Sequence, residues 1–432
     1  MKFPRKLYRM LFESAQMYAR WDYETSMSIV KNKKMVLLLA LLVLPIVIGA
    51  VAFADSLPLP DLIGGHKAYA PSYYNINIFL VSILIGVCAG LITGCIGAGG
   101  GFIITPALMS AGIKGILAVG TDLFHIFAKA IMGTAIHKKL GNVSVALAAW
   151  FLIGSGIGVT GGGIINRALY EINPLLSDAF ISVVYVVLLG FLGFYSLFDF
   201  LKLRKQGGDV DSHGGGSHVA HDVDTSKDNK KLSLPEKLHS IKLPPMISFD
   251  HALVPGGKKI SAIFVIICGA IVGFMAAIMG VGGGFITFPM FVYVLGVSSF
   301  TTVGTDILQI IFTAGYASIA QYAIYGFIFY TLAIGMLIGS LLGVQIGAMT
   351  TQVVKGIYIR GFYAIAILAG FTNRVFALPA KMTELGVVKF PTAFNHAFEF
   401  IGSVIFFIVV GIFALWVIGK FFTSLKLLKG ER

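Results

Sequence analysis

The sequence predicts an all-helical polytopic membrane protein with about ten transmembrane helices and two homologous halves, and three observations predict it. Of 432 residues, 57% are hydrophobic and only 12% charged, and the mean hydropathy is +0.87. That is too apolar for soluble domains of this length. A glycine break then occurs twice, as Gly97-Ala98-Gly99-Gly100-Gly101-Phe102 leading to Pro106, and as Gly280-Val281-Gly282-Gly283-Gly284-Phe285 leading to Pro289, at an offset of 183 residues. After each break comes a second landmark, Val119-Gly120-Thr121-Asp122 and Val303-Gly304-Thr305-Asp306, at an offset of 184. Two landmarks in one order at nearly one spacing indicate an internal duplication.

The elements follow in order. Residues 1–34 carry eight Lys or Arg against three acids, with Leu7, Met10, Leu11, Ser14, Tyr18 and Trp21 on one helical face, as in an interfacial cytoplasmic helix. Apolar stretches near 36–54, 76–96, 115–136, 143–166, 178–200, 259–280, 300–324, 327–349, 357–372 and 398–420 are each long enough to span a bilayer. Residues 35–75 are an extra span, an uncleaved anchor despite Ala52-Phe53-Ala54, with a polar outside loop. Residues 76–201 form the first repeat and 259–376 the second, and 377–432 a loop, the last span and a basic C-terminus. Between the repeats, residues 202–258 turn hydrophilic and are expected to be a cytoplasmic linker. Leu152-Ile153-Gly154-Ser155 and Gly158 match Leu337-Ile338-Gly339-Ser340 and Gly343 at an offset of 185, so the duplication extends well beyond the break.

The formal charge of +13 reads as topology rather than as a nucleic-acid surface, because the basic residues flank the spans. His137-Lys138-Lys139 closes the third helix of the first repeat, whereas the matching turn, residues 321–326, carries no charge. By the positive-inside rule the two repeats are then inverted, with both termini cytoplasmic in a plasma (inner) membrane; the alternative, a broken segment that returns to its own side, makes the repeats parallel and puts the linker outside. Cys88, Cys95 and Cys268 lie in apolar segments as packing thiols. His213, His218 and His221 with Asp222 and Asp224 read as incidental histidines of a solvated linker, so neither metal nor cofactor is expected, and no enzyme constellation recurs in both halves.

A broken helix at membrane depth must be lined by protein or an aqueous cavity, because its backbone groups need partners. Glycines let a ligand approach the amides, and a half-helix aims its positive end at the same place. Gly97, Gly99, Gly100 and Gly101 with Gly280, Gly282, Gly283 and Gly284 are therefore expected to form an anion site near the midplane, the alternative being simple close packing of helices. Pro106 and Pro289 mark the half-helices, with Thr105 as the cap and Pro106 as the first helical residue. Thr121 and Thr305 supply hydroxyls to a ligand or to a helix end.

Acids inside membrane helices mark ion paths. Asp122, His125 and Lys129 share one helix face, and the matching positions are Asp306, Gln309 and Thr313. The first stripe compensates its carboxylate within its own helix, so Asp306 is the better ion-coupling candidate and Asp122 the second. Helix capping by both acids, and snorkelling of Lys129, are the competing readings.

The duplicated Gly-x-Gly-Gly-Gly with its proline, and the Val-Gly-Thr-Asp that follows in each half, resemble the TauE/SafE sulfite exporter family over about residues 80–372. The resemblance implies a permease moving small sulfur-containing anions such as sulfite, sulfonates or sulfoacetate, coupled to a proton or sodium gradient. Thr121-Asp122 and Thr305-Asp306 stand where members of the family often have Thr-Ser. The partners expected are the anion, the coupling ion and the lipid bilayer, with no nucleic acid and a homo-oligomer left open. The reading from a different class is a membrane receptor signalling through the 202–258 loop.

Overall fold

The computed structural model describes residues 76–96, 100–137, 144–205, 234–250, 257–351, 353–354 and 356–424. The expected N-terminal helix, first span, outside loop and linker histidines, together with Gly97 and Gly99, lie outside the described residues.

Among the described residues the first half consists of α1 (Ile76–Ile96), the short α2 (Gly101–Ser110), α3 (Gly115–His137), α4 (Val145–Ile172) and α5 (Pro174–Lys205). A small unit follows, made of α6 (Leu234–Ser240) and an antiparallel hairpin, β1 (Met246–Phe249) with β2 (Lys258–Ser261). The second half consists of α7 (Ala262–Met279), the short α8 (Gly284–Pro289) continued by a π-helical turn (Met290–Val294), α9 (Ser299–Tyr316) with a second π-helical segment (Ala317–Ala323), α10 (Tyr330–Thr351) and α11 (Gly356–Glu384). The last helix, α12 (Thr392–Thr423), packs on α11, α10 and α1. Helices α1, α4, α5, α7, α10, α11 and α12 are seven that are long and apolar enough to cross a membrane, and the expected spans 115–136 and 300–324 coincide with α3 and with α9 plus its π continuation.

The halves interlock reciprocally. Helix α1 packs along α10 and α4 along α7, so the first helix of each half lies against the fourth of the other, while α3 meets α9 and α5 meets α11. Glycines make the crossed pairs possible. A Cβ on Gly154 would sit 1.9 Å from the Ile266 carbonyl oxygen, and one on Gly339 would sit 2.0 Å from that of Ile83. Gly158 and Gly343 stand in the same relation to Ala270 and Val87. Small residues spaced four apart are how membrane helices approach backbone to backbone, where dispersion and weak polar contacts replace the hydrophobic effect.

Two boundaries differ from expectation. The loop expected from Phe376 to Pro391 is helical as far as Glu384. Just before this stretch Arg374 donates to Ser110 Oγ (2.9 Å) and the Pro106 carbonyl (3.3 Å), and within it Lys381 pairs with Asp178 on α5 at 3.4 Å. The linker is also structured at its end: Ile247, Phe249 and Ile260 are buried, and the hairpin holds the turn before α9. There Asp250 accepts from Ser298 N (2.9 Å) and Oγ (2.6 Å), with Lys258 at 3.8 Å. The turn before α3 is held in the same manner, by Asp178 accepting from Gly115 N at 2.7 Å.

Candidate functional site

The site grows from the two chain breaks. Gly100 (φ 72°) precedes α2 in the left-handed region, and Gly280 (φ 79°), Gly282 (φ 66°) and Gly283 (φ 90°) take the chain from α7 into α8. Four such residues are tolerable only as glycine. They also bring the breaks together: a Cβ on Gly101 would lie 2.8 Å from Val281 Cα, and one on Gly280 would lie 2.9 Å from both Val119 Cα and Thr105 Oγ1. Phe102 and Phe285, the residues that follow each glycine run, stack with centroids 5.0 Å apart at 21°, and Tyr363 of α11 stands edge-on to Phe102 at 5.9 Å. The expected anion-site glycines that the structure describes therefore meet in one place, buried, half against half.

The expected capping roles are corrected here. Helix α2 begins at Gly101 with Gly100 as its cap, so Thr105 and Pro106 lie inside it, and Pro289 ends α8 rather than opening it. The permissive backbone of Gly100 starts the helix earlier than a threonine cap would. Neither aspartate caps a helix. Asp122 lies in the interior of α3, and α9 is capped by Ser298, whose side chain accepts from Thr301 N, well before Asp306.

Thr121 and Thr305 each stand against a helix start in the structure. Thr121 Oγ1 accepts from Phe329 N at 2.9 Å, just before α10, and Thr305 Oγ1 accepts from Ser144 N at 3.0 Å, just before α4. Each threonine supplies an acceptor to an orphan amide at the start of the other half's fourth helix. Gly120 lets the Phe327 carbonyl approach to 2.3 Å from its Cβ position. The Gly-Thr part of Gly-Thr-Asp is thus a latch between halves, and the aspartate alone faces the break.

Each carboxylate lies beside the first turn of its half-helix. Asp122 is fully buried, its Oδ2 accepts from Thr105 Oγ1 at 3.0 Å, and it sits 3.2 Å from the Cβ position of Gly101. Asp306 Oδ2 sits 3.4 Å from that of Gly284, while its Oδ1 accepts from Gln309 Nε2 at 2.7 Å. The Gln309 amide also reaches Thr287 Oγ1 at 3.1 Å, and its carbonyl accepts from Thr313 at 2.9 Å. In the first stripe the expected compensation is looser: His125 Nδ1 stands 3.7 Å from Asp122 Oδ1, and Lys129 Nζ donates to Thr93 Oγ1 on α1 at 3.3 Å. Lys129 is half-buried against α1 rather than extended into water.

Four residues escaped the sequence reading. Ser340 Oγ meets His125 Nε2 at 2.9 Å, and its counterpart Ser155 meets Thr313 at 2.7 Å, so each serine ties the fourth helix of one half to the polar stripe of the other. Their shared offset of 185 was the available signal. Tyr185 of α5 donates to the Met279 carbonyl at the end of α7 and also faces that of Gly101 at 3.5 Å, touching both breaks. Arg374, 2% exposed, is bound by neutral acceptors at the carboxyl end of α2, where the helix dipole favours a cation. Neither of these two has a counterpart in the other half that would flag it.

Comparison with known proteins agrees with this architecture. The profile of the family "Sulfite exporter TauE/SafE" matches residues 82–373. The chain is 24% identical over 271 residues to the probable membrane transporter protein YjnA of Bacillus subtilis, covering 62% of this chain and 87% of that protein. It is 23% identical over 216 residues to the probable membrane transporter protein MJ0441 of Methanocaldococcus jannaschii, covering 48% of this chain and 59% of that protein. No solved structure matches. With two glycine breaks meeting between interlocked halves and the profile spanning both, the chain belongs to the TauE/SafE sulfite exporter family of membrane proteins.

Proposed function

We propose that this protein is a secondary transporter that moves a small sulfur-containing anion, of the sulfite, sulfonate or sulfoacetate type, across the plasma membrane, coupled to a proton or sodium gradient. The observation that carries the reading is the meeting of the two breaks, Phe102 on Phe285, with one carboxylate, the buried Asp122 or the half-buried Asp306, beside each half-helix. Half-helix amino ends attract anions, and irregular backbone at membrane depth belongs to a transport path. The conformation with glycine backbones in contact is the closed one. Rocking of the halves, inverted relative to each other, would part Gly101 from Val281 and open the site to one side at a time. Asp306, half-buried beside neutral donors, and Asp122 are the coupling groups.

Uptake by proteoliposomes, with sulfite, a sulfonate, sulfate and chloride offered in turn, with and without a proton or sodium gradient, tests this reading. The expected result is uptake of at least one sulfur anion that a gradient accelerates. Transport of none of them overturns the substrate class.

A further inference from the structure

The surroundings of Asp122 contain an unmet bonding capacity. Ile103 N and Ile104 N both donate to the Gly100 carbonyl, which leaves the amides of Gly101 and Phe102 without an acceptor inside α2. The Asp122 carboxylate lies against that same turn, held there by Thr105. A carboxylate at this position has the charge and reach of the anion expected to bind there.

Its second oxygen faces a different partner. Oδ1 of Asp122 and Nδ1 of His125 are both fully buried, lack a hydrogen-bond partner among the described residues, and stand 3.7 Å apart. When the hydroxyl of Ser340 donates to the Leu337 carbonyl (3.2 Å), its oxygen accepts from His125 Nε2–H (2.9 Å). In a neutral imidazole with Nε2 protonated, Nδ1 is an acceptor. Two acceptors then confront each other, and one proton between them would make a charge-assisted bond. The other polar groups around the carboxylate are Thr105 on α2, Lys129 on α3 and the Tyr185 hydroxyl of α5, which donates to Met279 O.

We propose that Asp122 is a tethered anion with two seats: the first turn of α2 in the absence of substrate, and protonated His125 when the substrate anion takes that turn. One proton from solution adds to His125 Nδ1 as one anion adds to α2, so the pair enters together and no bond other than N–H is formed. This rests on the anion-transport reading and concerns the first half's carboxylate alone: the ion that Asp122 and His125 bring in with the anion is a proton, while gradient-driven accumulation still requires Asp306.

The test is binding of methanesulfonate, a permanent monoanion, to the full-length protein in detergent and weak buffer, with proton uptake recorded by a pH indicator. The wild type should take up about one proton per anion bound. Asp122→Asn should bind about tenfold more tightly, without proton uptake, because the competing charge is gone. His125→Gln should bind more weakly than the wild type, yet change nothing when added to Asp122→Asn, since the two residues act as one device. Thr105→Val, which only frees the carboxylate from α2, should bind more tightly and keep the proton. Anion binding without proton uptake in the wild type, or weakened binding in Asp122→Asn and unchanged binding in Thr105→Val, overturns this proposal and leaves anion transport standing. Failure of methanesulfonate, sulfite, sulfate and chloride alike to bind the wild type overturns the anion reading and this proposal with it.

Discussion

Phe102 stacks on Phe285, the residue 183 positions further along, with ring centroids 5.0 Å apart and planes at 21°. Two equivalent residues can touch each other only where the halves meet symmetrically, so this stack marks the pivot about which the interlocked helices are arranged. Both rings are buried, at 0% and 1% exposure.

Phe102→Ala should therefore cost about 3–5 kcal/mol, the range for truncating a fully buried aromatic ring. Thermal unfolding in detergent checks this, and Phe102→Leu should recover most of the loss. A drop in stability as small as that of an exposed residue such as Phe191 would remove the stack from the core of the account.

The glycine contacts predict matched effects in the two halves. Gly154→Ala and Gly339→Ala each place a methyl group about 2 Å from a backbone carbonyl of the partner helix, so both should destabilise by about 1–3 kcal/mol and by similar amounts. Gly156→Ala, on the same helix as Gly154 but with nothing within 4 Å of its Cβ position, should be neutral or slightly stabilising. Equal effects at Gly154 and Gly156 in an unfolding assay would refute the close approach.

The threonine latches should behave as a pair. Thr121→Val and Thr305→Val each leave a helix-start amide without its acceptor, Phe329 N or Ser144 N, at a cost of about 1–3 kcal/mol. Thr121→Ser and Thr305→Ser keep the oxygen and should stay near wild type. Should the serine variants be as unstable as the valines, methyl packing rather than the hydrogen bond would be responsible.

In the second half, Asp306→Asn should abolish gradient-driven transport more severely than Gln309→Ala, because the carboxylate carries the charge while Gln309 only donates to it. Transport with and without the imposed gradient separates the two roles. Equal, mild losses would assign Asp306 a structural part.

Much of this arrangement was legible in the sequence. The hydropathy pattern located the seven helices among the described residues that are long and apolar enough to cross a membrane, and the paired glycine runs located the break, since few contexts other than a left-handed turn or a close approach call for such runs. The polar stripes Asp122–His125–Lys129 and Asp306–Gln309–Thr313 followed from helical spacing alone. What spacing could not convey was which helix each half would lend to the other. Gly154 and Gly339 repeat at four-residue intervals whether they face lipid or backbone, and only the structure shows them against Ile266 and Ile83. For the same reason spacing left Thr121 open between a ligand and a helix end: the amide that its oxygen accepts from, Phe329 N, is 208 residues away. Nothing in the sequence singled out Arg374, because its compensation by Ser110 and the end of α2 is a tertiary fact.

The central claim, that the two breaks form one gradient-coupled path for a sulfur anion, is tested most directly by concentrative uptake into proteoliposomes. With a proton or sodium gradient imposed, the wild type should accumulate a sulfonate or sulfite above the external concentration, the accumulation should collapse when the gradient is dissipated, and Asp306→Asn should only equilibrate it. Equilibration without accumulation by the wild type under both gradients, or accumulation by Asp306→Asn equal to that of the wild type, would contradict the account.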